Sequence, residues 1–112
     1  MKKKYFISLL LAFLCFGVTF ANAESKNVDC LLLEDENSII CKYTHSRQDL
    51  DKTIVMQWIE PDGRISRERD MLIPSHHGSI YDFRYIQGRT PGTWTFKVID
   101  EDKEYITNFI IE

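Results

Sequence analysis

The chain has 112 residues, three cysteines and a formal net charge of −3 at pH 7. A chain of this length forms one small domain, which excludes a multidomain architecture. Its acidic charge balance argues against binding to nucleic acid or to an anionic membrane surface, because both repel negative charge.

The N-terminal segment is typical of a bacterial secretory signal peptide. Lys2, Lys3 and Lys4 precede an almost wholly apolar run over residues 6–20, and residues 21–23, ANA, place alanine at both positions that signal peptidase reads. The apolar run is short for a membrane span. We therefore expect cleavage after Ala23, a periplasmic or secreted location, and no stable membrane insertion afterwards.

Removal of residues 1–23 leaves one predicted domain, residues 24–112. This domain has 89 residues, and without the three N-terminal lysines it carries 11 basic and 17 acidic residues, a net charge of −6. A domain of this size buries only about 60 to 65% of the surface that its unfolded chain exposes, so its core is thin. A covalent cross-link would therefore add substantially to its stability.

Two apolar segments flank a short acidic stretch at the start of this domain. Residues 28–33 and 38–43 are separated by EDEN, a composition that favours a turn. A hairpin across this turn places Cys30 opposite Cys41, at a separation close to what a disulfide requires. Because an exported protein meets an oxidising compartment, we expect a Cys30–Cys41 disulfide rather than two reduced, buried thiols.

The stretch around Trp58 has a strong strand pattern. In residues 53–60, Ile54, Met56 and Trp58 share one pleat face, which predicts a strand with an apolar side. The following EPDG combines proline, aspartate and glycine in the order of a type I turn with a bulge, and predicts a hairpin corner. Because a large aromatic side chain buries about 150–250 Å², we expect Trp58 to lie in the core.

The segment after this corner has a broken alternation. Residues 64–73 place Arg67 and Arg69 on the face that should be apolar. Charge in that position discourages pairing with another chain, and Pro74 cannot donate to a sheet ladder. The segment is therefore predicted to be an edge strand that ends at the proline.

Residues 79–86 alternate cleanly between aromatic and polar side chains. The aromatic positions are Tyr81, Phe83 and Tyr85. We expect these rings to pack across the core from Trp58, with Asp82 and Arg84 on the opposite, solvated face.

Two further alternating segments, residues 94–98 and 105–111, complete the pattern, and no segment of the predicted domain has helical periodicity. About seven strands at this spacing are typical of an all-β, two-sheet antiparallel sandwich. The predicted core consists of Trp58, Met56, Phe83, Tyr81, Trp94, Phe96 and Phe109.

Two short motifs lie within these strands. They are W-x-x-P-D-G at Trp58, Pro61, Asp62 and Gly63, and P-G-x-W at Pro91, Gly92 and Trp94, followed by a last strand with Phe109. With them, residues 28–112 resemble the secreted bacterial immunoglobulin-like domains. The resemblance implies an immunoglobulin-like sandwich and an exported protein, and it implies no shared activity. In immunoglobulin domains proper a disulfide crosses the sandwich, whereas Cys30 and Cys41 are close in sequence and are expected to join neighbouring strands.

No group of residues predicts catalysis or cofactor binding. The sequence has no G-x-S-x-G motif, and its three histidines do not combine with a free cysteine or serine into a nucleophile and base. His76 and His77 are adjacent, so as strand residues they would point to opposite faces and would not share a zinc ion. We therefore expect a non-enzymatic domain with no cofactor and no metal.

The predicted function is a small binding or adaptor module that contacts an envelope or secreted protein. Its possible partner-binding surface is a basic patch of Arg67, Arg69, His76, His77, Arg84 and Arg89. The alternative is that these side chains are only solvated charges and guards of a sheet edge. Two other functions remain open: a soluble small-ligand or glycan binder that uses Tyr43, Tyr85 or Tyr105, and an inhibitor of a secreted enzyme.

Overall fold

The computed structural model describes residues 27–112, and the predicted signal peptide with its cleavage site at Ala23 lies outside these residues. The strands are β1 (Val28–Leu33), β2 (Ser38–Thr44), β3 (Lys52–Ile59), β4 (Ile65–Ile73), β5 (Ser79–Tyr85), β6 (Gly92–Asp100) and β7 (Lys103–Ile111). A single turn of 3-10 helix, Glu34–Glu36, connects β1 to β2. The prediction of about seven strands is confirmed.

The strands form two antiparallel sheets that enclose the core. One sheet has the order β1-β2-β5 and the other has the order β4-β3-β6-β7. β4 is an edge strand, as predicted. The result is an all-β two-sheet sandwich, compatible with an immunoglobulin-like fold. In constant-type immunoglobulin domains the fourth strand lies in the sheet of the first, second and fifth strands, whereas here it pairs with β3.

β1 and β2 form the predicted hairpin, and the predicted disulfide closes it. Cys30 lies directly opposite Cys41, with their Cα atoms 4.1 Å apart and their sulfur atoms bonded. The turn ends at Asn37, which has a φ of 55° and occupies the left-handed region that asparagine tolerates. Its side-chain oxygen accepts a 2.7 Å hydrogen bond from the backbone N–H of Gln87, which ties the hairpin to the end of β5.

The corner between β3 and β4 adopts the predicted turn with a bulge. The backbone N–H of Gly63 donates to the carbonyl of Glu60 at 2.9 Å, the φ of Gly63 is +94°, and the pairing register shifts at the end of β3. Pro61 at this corner packs against Gly92 at the start of β6, where an added Cβ would lie only 2.9 Å from Pro61 Cγ. The two sequence motifs are therefore in contact.

Two buried tryptophans organise the core. The ring of Phe109 lies between them, 5.8 Å from that of Trp58 and 6.1 Å from that of Trp94, and Phe96 packs edge-on against Trp58 at 5.4 Å. Five of the seven predicted core residues are buried, namely Trp58, Met56, Trp94, Phe96 and Phe109.

The predicted orientation of β5 is wrong. Tyr81 and Phe83 are 57% and 45% exposed, whereas Asp82 is only 5% exposed. β5 pairs with β2 so that Asp82 lies opposite Cys41 and Phe83 lies opposite Ile40. Because directly opposed residues point to the same side of a sheet, the inward-facing Cys41 carries Asp82 into the core and leaves the aromatic rings outside.

Candidate functional site

Four of the eight large hydrophobic side chains that are exposed among residues 27–112 lie on the outward face of the three-stranded sheet. They are Leu31 at 56%, Tyr81 at 57%, Phe83 at 45% and Tyr85 at 60% exposure. The partly buried Ile40 lies between Leu31 and Phe83 in the strand register. We call these five residues, Leu31, Ile40, Tyr81, Phe83 and Tyr85, the aromatic face.

The aromatic face exposes a few hundred Å² of aromatic surface and carries almost no net charge. At these exposures, the three rings leave roughly 240–400 Å² open to solvent. Exposed apolar patches of a few hundred Å² commonly mark interaction sites. On the outward face itself, Asp29 and Lys42 lie in the same row of the strand register as Tyr81, and their charges are opposite in sign.

The rings of the aromatic face are not coplanar. The centroids of Phe83 and Tyr85 are 5.2 Å apart, and their planes make an angle of 78°. This edge-to-face geometry is a favourable one for two aromatic rings. It leaves an uneven surface instead of a single flat platform.

The buried carboxylate of Asp82 lies on the inner side of the same strand. Its Oδ2 accepts a 2.7 Å hydrogen bond from Trp58 Nε1. Its Oδ1 accepts hydrogen bonds from Nη1 of Arg69 at 3.0 Å, from Nη1 of Arg67 at 3.4 Å and from the backbone N–H of Phe83 at 3.0 Å. This network joins both sheets and satisfies a charge that would otherwise be costly to bury.

Arg67 and Arg69 lie at the open side of the sandwich, where β4 and β5 are the edge strands of different sheets. Their side chains are 33% and 50% exposed. Arg67 also donates from Nη1 to the carbonyl of Phe83 at 3.3 Å, and so covers part of the unpaired edge of β5. Among residues 27–112, the hydrogen bonds of both guanidinium groups run through Nη1, which leaves Nη2 and Nε of each available.

Arg84 and Arg89 add two further positive charges. The guanidinium of Arg84 lies over the ring of Trp58, 5.5 Å from its centroid, and donates a 3.0 Å hydrogen bond to Ser66. Burial, and then the charges of Arg89 and Arg67, lower the pKa of Arg84 to about 10, although Asp82 and Glu60 act in the opposite direction. The buried Nε of Arg89 has no hydrogen-bond partner within the described part of the chain.

The structure brings together four of the six residues that were predicted to form a partner-binding surface. These four, Arg67, Arg69, Arg84 and Arg89, are called the arginine cluster below. His76 and His77 lie instead in the loop between β4 and β5, where their backbone N–H groups donate to Gln48 and Pro74. No hydrogen bond or ion pair described for residues 27–112 joins either histidine to the arginine cluster.

Metal ligands were not predicted from the sequence. Over residues 27–112, the structure contains no group of three or more histidine, cysteine, aspartate or glutamate side chains arranged to hold a metal ion.

A separate polar network lies where β2, the start of β3 and the end of β6 meet. Tyr43 donates a 2.6 Å hydrogen bond to Asp100 Oδ2, and Lys52 Nζ lies 2.8 Å from Asp100 Oδ1. Burial and Asp100 together raise the pKa of Tyr43. Burial alone would raise the pKa of Asp100, but hydrogen bonds from Lys52 and Tyr43 outweigh it and lower that pKa. These side chains, with His45 and Tyr105, line an open cleft of about 300 Å³.

The three tyrosines proposed from sequence for ligand binding differ in accessibility. Tyr43 is only 1% exposed and is already bonded to Asp100, so it is not an exposed ligand platform. Tyr105 is half-buried, and Tyr85 is 60% exposed as part of the aromatic face.

No protein-family model matches the sequence, and no characterised protein matches it at a significant level of similarity. No helix among residues 27–112 is long and apolar enough to cross a membrane.

The sequence did not predict the aromatic face, because Tyr81, Phe83 and Tyr85 were expected to point into the core. Alternation divides β5 into an aromatic side and a polar side without showing which of them is buried. The signal that decides the question is the pairing of Asp82 with Cys41.

Proposed function

We propose that this protein is a small, exported, non-enzymatic binding module that acts through protein–protein contacts, and that the aromatic face is its docking surface. The orientation of β5 carries the proposal, because Tyr81, Phe83 and Tyr85 point to solvent while Asp82 is buried. A partner that covers these rings gains about 25 cal/mol for each Å² of apolar surface removed from water.

The chemistry of the aromatic face favours a protein over a sugar. The aliphatic side chains of Leu31 and Ile40 continue the apolar surface beyond the rings. Phe83 and Tyr85 meet edge to face, so they offer an uneven surface to the apolar C–H face of a sugar ring. Exposed tyrosines and other aromatic residues are enriched at protein interfaces and at their energetic centres. The proposed partner is an envelope or secreted protein with a complementary, weakly charged apolar patch.

Export is part of the proposal. The N-terminal sequence has the composition of a signal peptide. The disulfide between Cys30 and Cys41 supports the same location, since such bonds persist mainly in oxidising compartments.

Site-specific crosslinking in the cells that produce the protein tests the docking surface. A photoactivatable side chain is introduced at Phe83 or, as a matched control, at Ile110, which is 61% exposed on β7 of the other sheet. Illumination should give an adduct of one defined mass from position 83 and no such adduct from position 110. Excess unlabelled wild-type protein should compete for it.

The companion variant carries both Tyr81→Ser and Tyr85→Ser, together with the crosslinker at position 83. Loss of the adduct in this variant would support docking through the aromatic face. An adduct that persists unchanged, or that forms equally from position 110, would contradict the proposal.

A further inference from the structure

The arginine cluster lies directly beside the aromatic face. Phe83 connects the two regions, because its ring is part of the aromatic face and its backbone carbonyl accepts a hydrogen bond from Arg67 of the cluster. Arg67 and Arg69 extend from β4 to Asp82 on β5, so the cluster occupies the side of the sandwich where both sheets end. A partner seated on the aromatic face is therefore within reach of these guanidinium groups.

The arginine cluster is electrostatically unbalanced. Arg67 and Arg69 share the buried carboxylate of Asp82, which together with Glu60 also favours the charged form of Arg84, and no ion pair described for residues 27–112 includes Arg84 or Arg89. The neighbouring charges of Arg89 and Arg67 act against the charged form of Arg84. A further anion at this position would relieve the repulsion between like charges.

The cluster also has unused hydrogen-bond donors. Arg67 and Arg69 are partly exposed and use only Nη1 within residues 27–112, whereas the unpartnered Nε of Arg89 is itself buried. A guanidinium group presents its N–H donors in a planar fork that fits both oxygens of a carboxylate. The available donors therefore match carboxylate groups in geometry as well as in charge.

We infer that the arginine cluster binds an acidic segment of the protein partner, whose carboxylates pair with the free guanidinium donors while adjoining apolar side chains cover the aromatic face. This inference rests on the proposed function. The remainder of the domain selects for a short segment, because residues 24–112 carry a net charge of −6 and repel an extended polyanion. A short segment is shielded from most of that charge, since screening at physiological ionic strength acts over about 8 Å.

The protein is expressed from its full-length gene and purified in the form that the producing cell exports. The binding probe is a fluorescein-labelled peptide of six glutamates. Fluorescence anisotropy at low ionic strength should show saturable binding that weakens as salt is added. The Arg69→Gln variant should bind the peptide about fivefold more weakly. Arg69→Lys keeps the charge without the planar fork and should give an intermediate affinity.

Arg64→Gln provides the matched control. It removes the same charge from Arg64 at the β3–β4 corner. This side chain is 75% exposed and pairs with Asp62 and Glu60, and neither carboxylate forms an ion pair with the arginine cluster within residues 27–112. Its affinity should stay within about twofold of the wild type. Equal weakening in Arg64→Gln and Arg69→Gln would overturn the inference, because it would indicate attraction by overall charge alone. The urea unfolding curve of each variant shows whether it is folded. A folded Arg69→Lys variant with intermediate affinity shows that the weaker binding comes from the loss of donors and not from unfolding.

Two other occupants of the cluster give distinct results. Displacement of the labelled peptide by inorganic phosphate as effectively as by unlabelled peptide would overturn the assignment to a polypeptide. A dimer of the protein alone that dissociates in Arg69→Gln would identify a second copy as the occupant, and would overturn the assignment to a separate partner.

The crosslink at position 83 distinguishes this inference from the proposed function. If the adduct forms but peptide binding does not depend on Arg69, the inference fails and docking through the aromatic face stands. If binding of the peptide depends on Arg69 but no adduct forms, docking through the aromatic face fails and the cluster stands as a site for acidic polypeptides.

Discussion

Trp58 Nε1 donates a 2.7 Å hydrogen bond to Asp82 across the two sheets, and both side chains are almost completely buried. The bond satisfies the single donor of the indole. It also places the acceptor on β5, the strand whose other side carries the aromatic face. The buried polar network and the exposed rings are therefore two consequences of one strand orientation.

Removal of the Asp82 carboxylate should destabilise the fold strongly. Asp82→Ala leaves the buried Trp58 N–H without its acceptor and removes the carboxylate shared by the partly exposed Arg67 and Arg69, so we expect a loss of about 1–3 kcal/mol in the free energy of unfolding. Asp70→Ala, at an exposed position on β4, should change it by less than about 0.5 kcal/mol. Urea unfolding followed by tryptophan fluorescence measures both, and similar midpoints for the two variants would contradict the network.

The orientation of β5 can be tested with one substitution at two sites. Phe96 is fully buried, and its replacement by alanine should cost about 3–5 kcal/mol. Phe83 is 45% exposed, so Phe83→Ala should cost less than about 1.5 kcal/mol. Thermal and urea unfolding give both values. Equal costs would contradict the observed orientation of β5 and would indicate that Phe83 lies in the core, as the sequence analysis predicted.

Two of the features that the sequence predicted correctly are local ones. The Cys30–Cys41 register follows from a hairpin whose two cysteines are 11 residues apart, and the corner at Gly63 follows from four consecutive residues. The side of β5 that is buried depends instead on pairing with β2, about forty residues earlier in the chain. A period of two defines two faces, and only the distant strand determines which one is buried.

The positions of the residues predicted for the partner-binding surface also depend on distant strands. Arg67 and Arg69 on β4 approach Arg84 on β5 because these two strands lie beside each other at the open side of the sandwich. His76 and His77 are close to β4 and β5 in sequence, but they lie in the connecting loop, where their backbone N–H groups donate to Gln48 and Pro74. Nearness along the chain was a poor guide to which charges meet in space.

Loss of the disulfide should lower stability by an amount set mainly by the short loop that it closes. The chain-entropy estimate for cysteines 11 residues apart is about 3 kcal/mol. Reduction of the exported protein should therefore move its urea midpoint to a lower concentration, while a Cys30→Ala/Cys41→Ala variant should have a low midpoint that reductant does not change. Alkylation of the native protein before reduction should add no mass, and modification of two thiols would contradict the bond.

Gly92 and Gly63 should differ in their tolerance of a methyl group. Both have positive φ, so Gly63→Ala, which meets nothing within 4 Å, should cost about 1 kcal/mol from backbone strain alone. Gly92→Ala adds a Cβ 2.9 Å from Pro61 Cγ and should cost more, roughly 2–4 kcal/mol. Unfolding midpoints compare the two. A Pro61→Ala background, which removes Cγ, should recover part of the additional cost if the contact is its cause.

The Tyr43–Asp100–Lys52 network should make stability depend on pH at the alkaline end. Burial and Asp100 raise the pKa of Tyr43 in the folded protein, and the hydrogen bond to Asp100 raises that of Lys52. A group whose pKa is raised on folding contributes stability below its unfolded value, which is about 10 for both residue types, and loses it as the pH rises further. The free energy of unfolding should therefore fall between about pH 9.5 and pH 11.

The Tyr43→Phe variant shows how much of the pH dependence of stability comes from the hydroxyl group of Tyr43. The variant loses the 2.6 Å hydrogen bond to Asp100 and should be less stable at pH 7 by about 1–3 kcal/mol. Its alkaline decline should be shallower than that of the wild type, because only the contribution of Lys52 remains. Tyr81→Phe removes a hydroxyl from a tyrosine that is 57% exposed and should leave the decline unchanged. Urea unfolding at a series of pH values compares the three proteins, and parallel curves for the wild type and Tyr43→Phe would show that the proton on Tyr43 is not linked to folding.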